Sequence, residues 1–502
     1  MDKIRLLYVE NVISRKNRVA RQELSFFMRV ENVSCDKKVE VIWAGEDDVW
    51  HTLPAQYHST PEYGKEYWQA RASFRLTAQH SLPGNIRFGL RYQTLGQEFW
   101  DNNHGWNYAS QADSGIKLAP DDISMLNIGF EGRLNDRQKS VPVTVAVDRS
   151  IQAEKVTVHW TTDNWRHIHK TPCRTKINYW DVKTRSNARN PNQYGAQVWK
   201  GRLRIANAFR VEYSICCESQ GQLLWDNNYG KNYSTSHDPL KILILNLHCY
   251  QEDNQDYKLS QIARAIAELD VDIVCLQEVA ELWNDGHGDW NSNSARIINE
   301  RLETPFHIYT DWSHLGFDKY REGVAILSRY PLTNPESRYV SNSHDVYSIH
   351  SRKVVMGQVR VPYIGLINVF SAHLSWWEDG FKGQFERLCE WANSRYSRHV
   401  KGTLLCGDFN ITAGSTGYHQ VVDANEYDDQ YLAANEQGLF EKIFRVNDSH
   451  WRHLLADDYR IDYIFMNKTS DLKVTSARVL FTDQDYGRVS DHCGYFMTFE
   501  PR

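Results

Sequence analysis

One segment of this chain occurs twice. Phe99-Trp-Asp-Asn-Asn-His-Gly-Trp-Asn-Tyr108 returns 125 positions later as Leu224-Trp-Asp-Asn-Asn-Tyr-Gly-Lys-Asn-Tyr233, and Gly96-Gln97 and Gly221-Gln222 keep that offset. Upstream, Lys38-Val-Glu-Val-Ile-Trp43 matches Lys155-Val-Thr-Val-His-Trp160 at an offset of 117, so the later copy carries eight more residues between these anchors. They are expected in the polar stretch Thr184–Gln197. A repeat far longer than the roughly 20–50 residues of solenoid units is a duplicated domain, and each copy must bury a core of its own.

Both copies are built from short alternating runs, such as Arg87-Phe-Gly-Leu-Arg-Tyr and Arg210-Val-Glu-Tyr-Ser-Ile, divided by Gly, Asn and Asp turns. A two-residue period with frequent turns predicts all-β sandwiches. Polar stretches at Ala109–Asp122 and Ser234–Pro239 are the expected joints. The resulting division is residues 1–118, 119–237 and 238–502, in line with a chain of 502 residues being too long for one core.

Phe, Trp and Tyr make up 13% of the chain, with 17 Trp, and flat amphipathic faces of this kind fill cores or stack on sugars and bases. A net charge of −5 argues against a general attraction to polyanions. No two of the nine cysteines have zinc-site spacing, and Cys275 and Cys406 read as buried free thiols within apolar runs. Met1–Glu10 has no apolar core of signal-peptide type, and no run is long enough to span a bilayer, so a cytoplasmic protein without membrane contact is expected.

The Val-x-Val-x-Trp strand, the aromatic that follows (Trp50 in one copy, Trp165 in the other) and the closing Trp-Asp-Asn-Asn-x-Gly-x-Asn-Tyr resemble starch- and glycogen-binding modules, an immunoglobulin-like carbohydrate-binding sandwich. The resemblance implies glucose rings stacked on Trp50, Trp100, Trp165 and Trp225. It also implies Asn103 and Asn228 either holding sugar hydroxyls or bracing the turn through their own backbone.

From Lys241 the texture changes to strands alternating with helices. Lys241–Asn246, Asp272–Val279, Tyr363–His373, Thr403–Asn410 and Ile461–Asn467 read as strands, and Tyr257–Asp270 and Phe385–Ser397 as helices, an α/β arrangement of two sheets. Polar residues stand at the strand ends: Asn246, Glu278, His373, Asp408, Asn410, Asp462 and the pair Asp491-His492. Asp408 and Asn410, two apart, are expected on one face of a strand. Carboxylates and an amide without thiols suit a hard cation, and two histidines supply proton transfer or phosphate contacts.

This constellation resembles the endonuclease/exonuclease/phosphatase superfamily over Lys241–Arg502. The resemblance implies Mg²⁺, with Mn²⁺ as an alternative, held by Glu278 with Asn246 and Asp491 close by. His373 and Asn410 would contact phosphoryl oxygens, Asp408 would orient or deprotonate the attacking water, and Asp462 would fix His492. Whether Asp408 or His492 is the base stays open.

Four substrate classes follow from such a domain. A sphingomyelinase would be secreted, a nuclease would want a basic groove, and an inositol 5-phosphatase would carry a basic residue and Tyr after Gly-Asp-x-Asn, where this chain has Ile411-Thr-Ala-Gly414. The fourth class, a phosphatase of a phosphorylated sugar, uses the N-terminal half as well. Two such modules joined to this catalytic domain resemble bacterial phosphatases of a phosphorylated disaccharide, and the resemblance implies maltose 6'-phosphate as substrate, with Trp376 and Trp377 after His373 in the sugar pocket. The N-terminal modules would bind a glucan or oligosaccharide, shape the active site or form a homodimer contact. A glucan-binding scaffold with an inactive catalytic domain is the non-enzymatic alternative.

Overall fold

The computed structural model describes residues 3–16, 19–34, 36–62, 64–119, 123–129, 133–175, 195–248, 250–284, 286–436 and 460–502. Most of Thr184–Gln197, where the extra residues of the second copy were expected, lies outside them. The chain forms two compact units, Met1–Asp238 and Pro239–Arg502.

In the first unit every sheet is antiparallel. The first copy pairs a five-stranded sheet (Gly115–Leu118, Ile4–Lys16, Val19–Glu31, Lys65–Arg75, Gln56–Glu62) with a second one (Trp50–Pro54, Lys37–Ala44, Ile86–Thr94, Gln97–Asp101), whose strand Ile86–Thr94 also takes Tyr108–Ser110. Alternation decides what fills the space between them. On Ile86–Thr94, Phe88, Leu90 and Tyr92 are fully buried against Leu24, Phe26 and Met28 of the facing sheet, while Arg87 and Arg91 point out. The second copy repeats this with His169–Pro172, Lys155–Thr161, Arg210–Ser219 and Gln222–Asp226 over a sheet containing Ser140–Val147 and Gln197–Arg204.

The stretch 109–122, expected as a joint, contains a strand: Gly115–Leu118 closes the edge of the first sheet beside Ile4–Lys16. Ile116 also accepts a hydrogen bond from the backbone N–H of Ala196 (3.0 Å), and Leu7, Ile116, Leu126 and Val198 share a core between the copies. Apolar residues at Ile116 and Leu118 make this connection a packed seam.

The second unit is a two-sheet α/β sandwich. One sheet runs His307–Gly316, Tyr320–Ser328, Ile273–Asn284, Leu240–Asn246, Gly494–Pro501, Leu472–Leu480; the other runs Leu332–Tyr339, Lys353–Val361, Gly365–His373, Val400–Asp408, Asp462–Asn467, Tyr427–Asp429. Each sheet has one parallel pair, Leu240–Asn246 with Ile273–Asn284 and Gly365–His373 with Val400–Asp408. Parallel neighbours require a crossover, supplied by the helices Gln255–Glu268 and Phe381–Ser394, each shifted a few residues toward the N-terminus from its expected place. Leu259, Ile262 and Ile266 of the first helix pack on Leu243, Leu245 and Leu276; Phe381, Phe385 and Leu388 of the second pack on Phe370 and Leu405. The parallel pairing ends at Asn246 opposite Gln277 in one sheet and at His373 opposite Asp408 in the other; Glu278, expected at a strand end, follows Gln277 within a strand that continues to Asn284.

Between the sheets the approach is close. Gln277 Nε2 donates to Ser371 Oγ (3.1 Å), and Ser371 Oγ donates to the Leu276 carbonyl (3.2 Å). Gly407 makes this possible: its φ is +133°, and a Cβ there would stand 2.1 Å from the Ala372 carbonyl oxygen and 2.8 Å from Gln277 Nε2.

Candidate active site

Backbone irregularity aims the central carboxylate. The strand Ile273–Asn284 slips register against Tyr320–Ser328 between Leu276 and Val279, and Glu278 sits in that bulge with φ +47°. Asn246, fully buried at the end of its strand, donates from Nδ2 to Glu278 Oε1 and to Asp408 Oδ2, both at 3.0 Å. Asp408 is paired in register with His373 on one side and Asp462 on the other, so three functional side chains share one rung of the second sheet. His373 Nε2 is 3.8 Å from Asp408 Oδ2 and 4.0 Å from Glu278 Oε1. His492 bonds Asp462 Oδ2 through Nδ1 (2.8 Å) and turns Nε2 toward Asp408 (3.8 Å) and Asp491 (3.9 Å).

The structure brings Asn246, Glu278, His373, Asp408, Asp462, Asp491 and His492 to one place. Asn410 departs from its expected geometry. The strand ends at Asp408, and Asn410 has φ +51°, so a two-residue alternation does not apply. Its backbone N–H donates to Asp408 Oδ1 (2.8 Å) and its Nδ2 to the Leu374 carbonyl (2.8 Å). The residue thus caps Asp408 from the following loop instead of sharing a strand face with it.

Burial raises the Glu278 carboxyl to about 7, with repulsion from Glu322 and Asp408 adding to it and the Asn246 hydrogen bond opposing. Burial raises Asp408 to about 7 as well, with repulsion from Asp462 partly offset by attraction to His492. Burial works against a charged His492, but Asp462, Asp408 and Asp491 outweigh it and hold the ring well above the ordinary histidine value. His373 goes the other way: burial, then the charge of Arg352, keeps it well below that value and neutral.

Among the described residues, two groups place three ligand atoms within 4.8 Å of one another: His248, Glu252 and Asp491, and Asp408, Asp462 and His492. The first group is already balanced. Burial would raise Glu252, but hydrogen bonds from His248 and Lys258 bring it down to about 2. The uncompensated negative charge lies instead between Glu278 and Asp408. Buried oxygen donors forced toward protonation chiefly by burial, and then by the acidic groups around them, fit a hard divalent cation, beside which both would ionise.

Sequence reasoning missed three members of the site. Arg352 Nη1 lies 3.2 Å from His373 Nδ1, Glu322 Oε1 lies 3.7 Å from that same nitrogen, and His314 Nε2 lies 3.6 Å from Glu322 Oε2. The available signals were a charged residue opening an apolar strand, as in Glu322-Gly-Val-Ala-Ile-Leu327, and Arg352 directly before Lys353-Val-Val-Met356. Of the expected sugar-pocket residues, Trp376 is exposed, whereas Trp377 is half-buried and packs beside the core with Phe381.

In the N-terminal unit, Trp50, Trp100 and Trp225 are 47%, 45% and 49% exposed. Trp165 is half-buried and donates from Nε1 to Glu212 (2.8 Å). The Asn residues brace their turns in matching fashion. Asn103 Nδ2 donates to the Asn107 carbonyl (3.2 Å) and Asn228 Nδ2 to the Asn232 carbonyl (3.1 Å), both residues being left-handed. Tyr108 and Tyr233 hydroxyls close the same loops onto Asp101 (2.7 Å) and Asp226 (2.6 Å).

Two known families match parts of this chain. The Endonuclease/Exonuclease/phosphatase family matches residues 244–492, and the Carbohydrate/starch-binding module (family 21) matches residues 4–111 and 128–236. The chain therefore carries a domain of the first family preceded by two modules of the second. Over 180 residues, 34% of this chain and 66% of the relative, it is 29% identical to Uncharacterized protein YbhP of Escherichia coli. Over 84 residues, 16% of this chain and 28% of the relative, it is 38% identical to mouse Protein phosphatase 1 regulatory subunit 3E. Each match thus leaves a third or more of the relative uncovered. Similar solved structures include an endonuclease/exonuclease/phosphatase family protein from Leptotrichia buccalis (28% identity, TM-score 0.44, 52% of this chain and 99% of that one). A mannosyl-6-phosphatase from Bacteroides thetaiotaomicron is also similar (15% identity, TM-score 0.39, 52% and 99%).

Proposed function

We propose that the second unit is a divalent-cation-dependent phosphomonoesterase acting on a phosphorylated sugar, with maltose 6'-phosphate the preferred substrate and maltose and phosphate the products. The observation that carries the chemistry is the convergence of Glu278, Asp408 and two oppositely tuned histidines at the ends of two parallel strand pairs. The choice of a glucose-derived substrate rests on the two starch-type modules in the same chain, a combination resembling bacterial maltose 6'-phosphate phosphatase.

Glu278 would hold the cation, Mg²⁺ or Mn²⁺, with Asp491 nearby; Asn246 presents Nδ2 to the carboxylates and would orient them. Bound there, the cation would neutralise charge on the transferring phosphoryl group. His492, kept protonated by Asp462, would donate from Nε2 to a phosphoryl oxygen. His373 would add a second donor through Nε2, the nitrogen turned to Asp408; Arg352 Nη1 lies across the ring, 3.2 Å from Nδ1 and 3.5 Å from Nε2. Asp408, oriented by the Asn410 N–H and Asn246, would take the proton from the attacking water as it adds in line opposite the leaving oxygen.

Purified protein should be assayed with Mg²⁺ and with EDTA for phosphate release from maltose 6'-phosphate, glucose 6-phosphate, trehalose 6-phosphate and an inositol phosphate. Plasmid DNA and sphingomyelin would report diester cleavage, and His492→Ala is the control. Metal-dependent turnover of maltose 6'-phosphate, lost in the variant, supports the reading. Cleavage of a diester with no sugar phosphate turned over would leave the site as a phosphoester hydrolase and overturn the substrate.

A further inference from the structure

A third histidine lies behind the two that face the reacting position. His314 is 2% exposed and stands on the strand His307–Gly316, directly after a register shift that sets it opposite Glu322. Its Nδ1 is 3.1 Å from the Ser351 carbonyl, and its Nε2 is 3.6 Å from Glu322 Oε2. A ring nitrogen bonded to a carbonyl must carry the hydrogen, so this contact fixes the ring's orientation.

Both partners of His314 lead to His373. Glu322 Oε1 lies 3.7 Å from His373 Nδ1 and 3.8 Å from Arg352 Nη1. Ser351 is the residue before Arg352, whose guanidinium reaches His373 Nδ1 at 3.2 Å. The backbone that delivers Arg352 ends a loop, Ser341–Ser351, tied together from within. Ser343 and Ser351 hydroxyls meet at 2.8 Å, Ser351 Oγ donates to the Asp345 carbonyl (2.7 Å), and the Arg352 N–H donates to Ser341 Oγ (2.8 Å). The Leu315 N–H donates to the Val346 carbonyl (2.7 Å), holding that loop to the strand that bears His314.

We propose that His314 is a positioning residue of the catalytic site: by holding the Ser351 carbonyl on Nδ1 while standing against Glu322, it sets where Arg352 and Glu322 meet His373. The proposal rests on the phosphohydrolase reading above but makes a claim about His373 that needs no turnover to test. Partners behind a functional histidine are typically worth about 10–100-fold in activity.

The full chain with Mg²⁺ should be compared with His314→Ala, His314→Gln, Glu322→Gln and the double variant H314Q/E322Q. On whichever phosphate ester is turned over, His314→Ala should lower kcat about 10–100-fold with KM within about twofold. His314→Gln, which retains a donor for Ser351, should recover to within about fivefold of wild type. The combined variant should lose less than the product of its single losses, because the two residues act as one unit. In ¹⁵N-histidine-labelled protein, long-range proton–nitrogen correlation should show the His373 ring-nitrogen shifts displaced between wild type and His314→Ala. A silent His314→Ala, multiplicative losses in the double variant, or unchanged His373 ring-nitrogen shifts would overturn the proposal. If no phosphate ester is hydrolysed, the functional reading fails, and the His373 measurement decides on His314 by itself; if His314→Ala does not fold, His314→Gln and the double variant carry the test.

Discussion

The ion pair between Asp462 and His492 offers the sharpest perturbation of the site. In Asp462→Asn the shape is kept while the charge 2.8 Å from His492 Nδ1 is removed. At an effective dielectric of about 20, two unit charges at that separation interact by about 6 kcal/mol. Burial opposes the charged ring, and Asp408 and Asp491 stay at 3.8 and 3.9 Å to support it. Even half of that interaction, about 3 kcal/mol, would lower the ratio of protonated to neutral ring about 100-fold. The amide can instead accept from Nδ1–H through its oxygen, which in the neutral ring leaves Nε2 with no hydrogen to donate. Turnover of the phosphate ester should therefore fall about 10²- to 10⁴-fold at pH 7, with the remaining activity rising as the pH is lowered. The assay is phosphate release between pH 5.5 and 8.5, with thermal unfolding as a check on the fold. A variant that folds normally and keeps kcat within threefold of wild type across that range would refute the assignment of His492 as a charged donor.

Glu278 and Asp408 titrate higher in the fold than an ordinary carboxyl, so their contribution to stability is present below about pH 4 and lost as the pH rises toward about 7. In EDTA the melting temperature should decline from pH 5 to pH 8, and the decline should shrink with Mg²⁺ present or in Glu278→Gln; a rising melting temperature in EDTA would contradict this. Gly407→Ala places a Cβ against the Ala372 carbonyl at a φ of +133° and should cost about 3 kcal/mol or more, read as a lower urea midpoint or loss of soluble protein. Trp100→Ala and Trp225→Ala should each weaken sedimentation with glycogen by about tenfold, while turnover of glucose 6-phosphate or another small ester stays at the wild-type level. Equal binding by wild type and a variant lacking both rings would remove these faces as the glucan contact.

A repeat of 125 positions and the alternating runs around it were enough to read two like β-domains, because a two-residue period and a turn motif act over a few neighbouring residues. Asn246, His373, Asp408 and Asp462 were legible for the same reason: each is a polar residue at one end of an apolar strand, which marks the edge of a core. The bulge at Glu278 and the left-handed Asn410 carry no such local sign, since a register slip depends on the neighbouring strand and a loop conformation on what it caps. Glu322, Arg352 and His314 lie 44, 74 and 36 positions from Glu278 in the chain. Only the order of strands in two facing sheets sets them behind His373. The residue types of the site belong to the chain as written. Their protonation was decided by tertiary structure, because burial and the charges within 4 Å push Glu278 up and pull His373 and His492 apart.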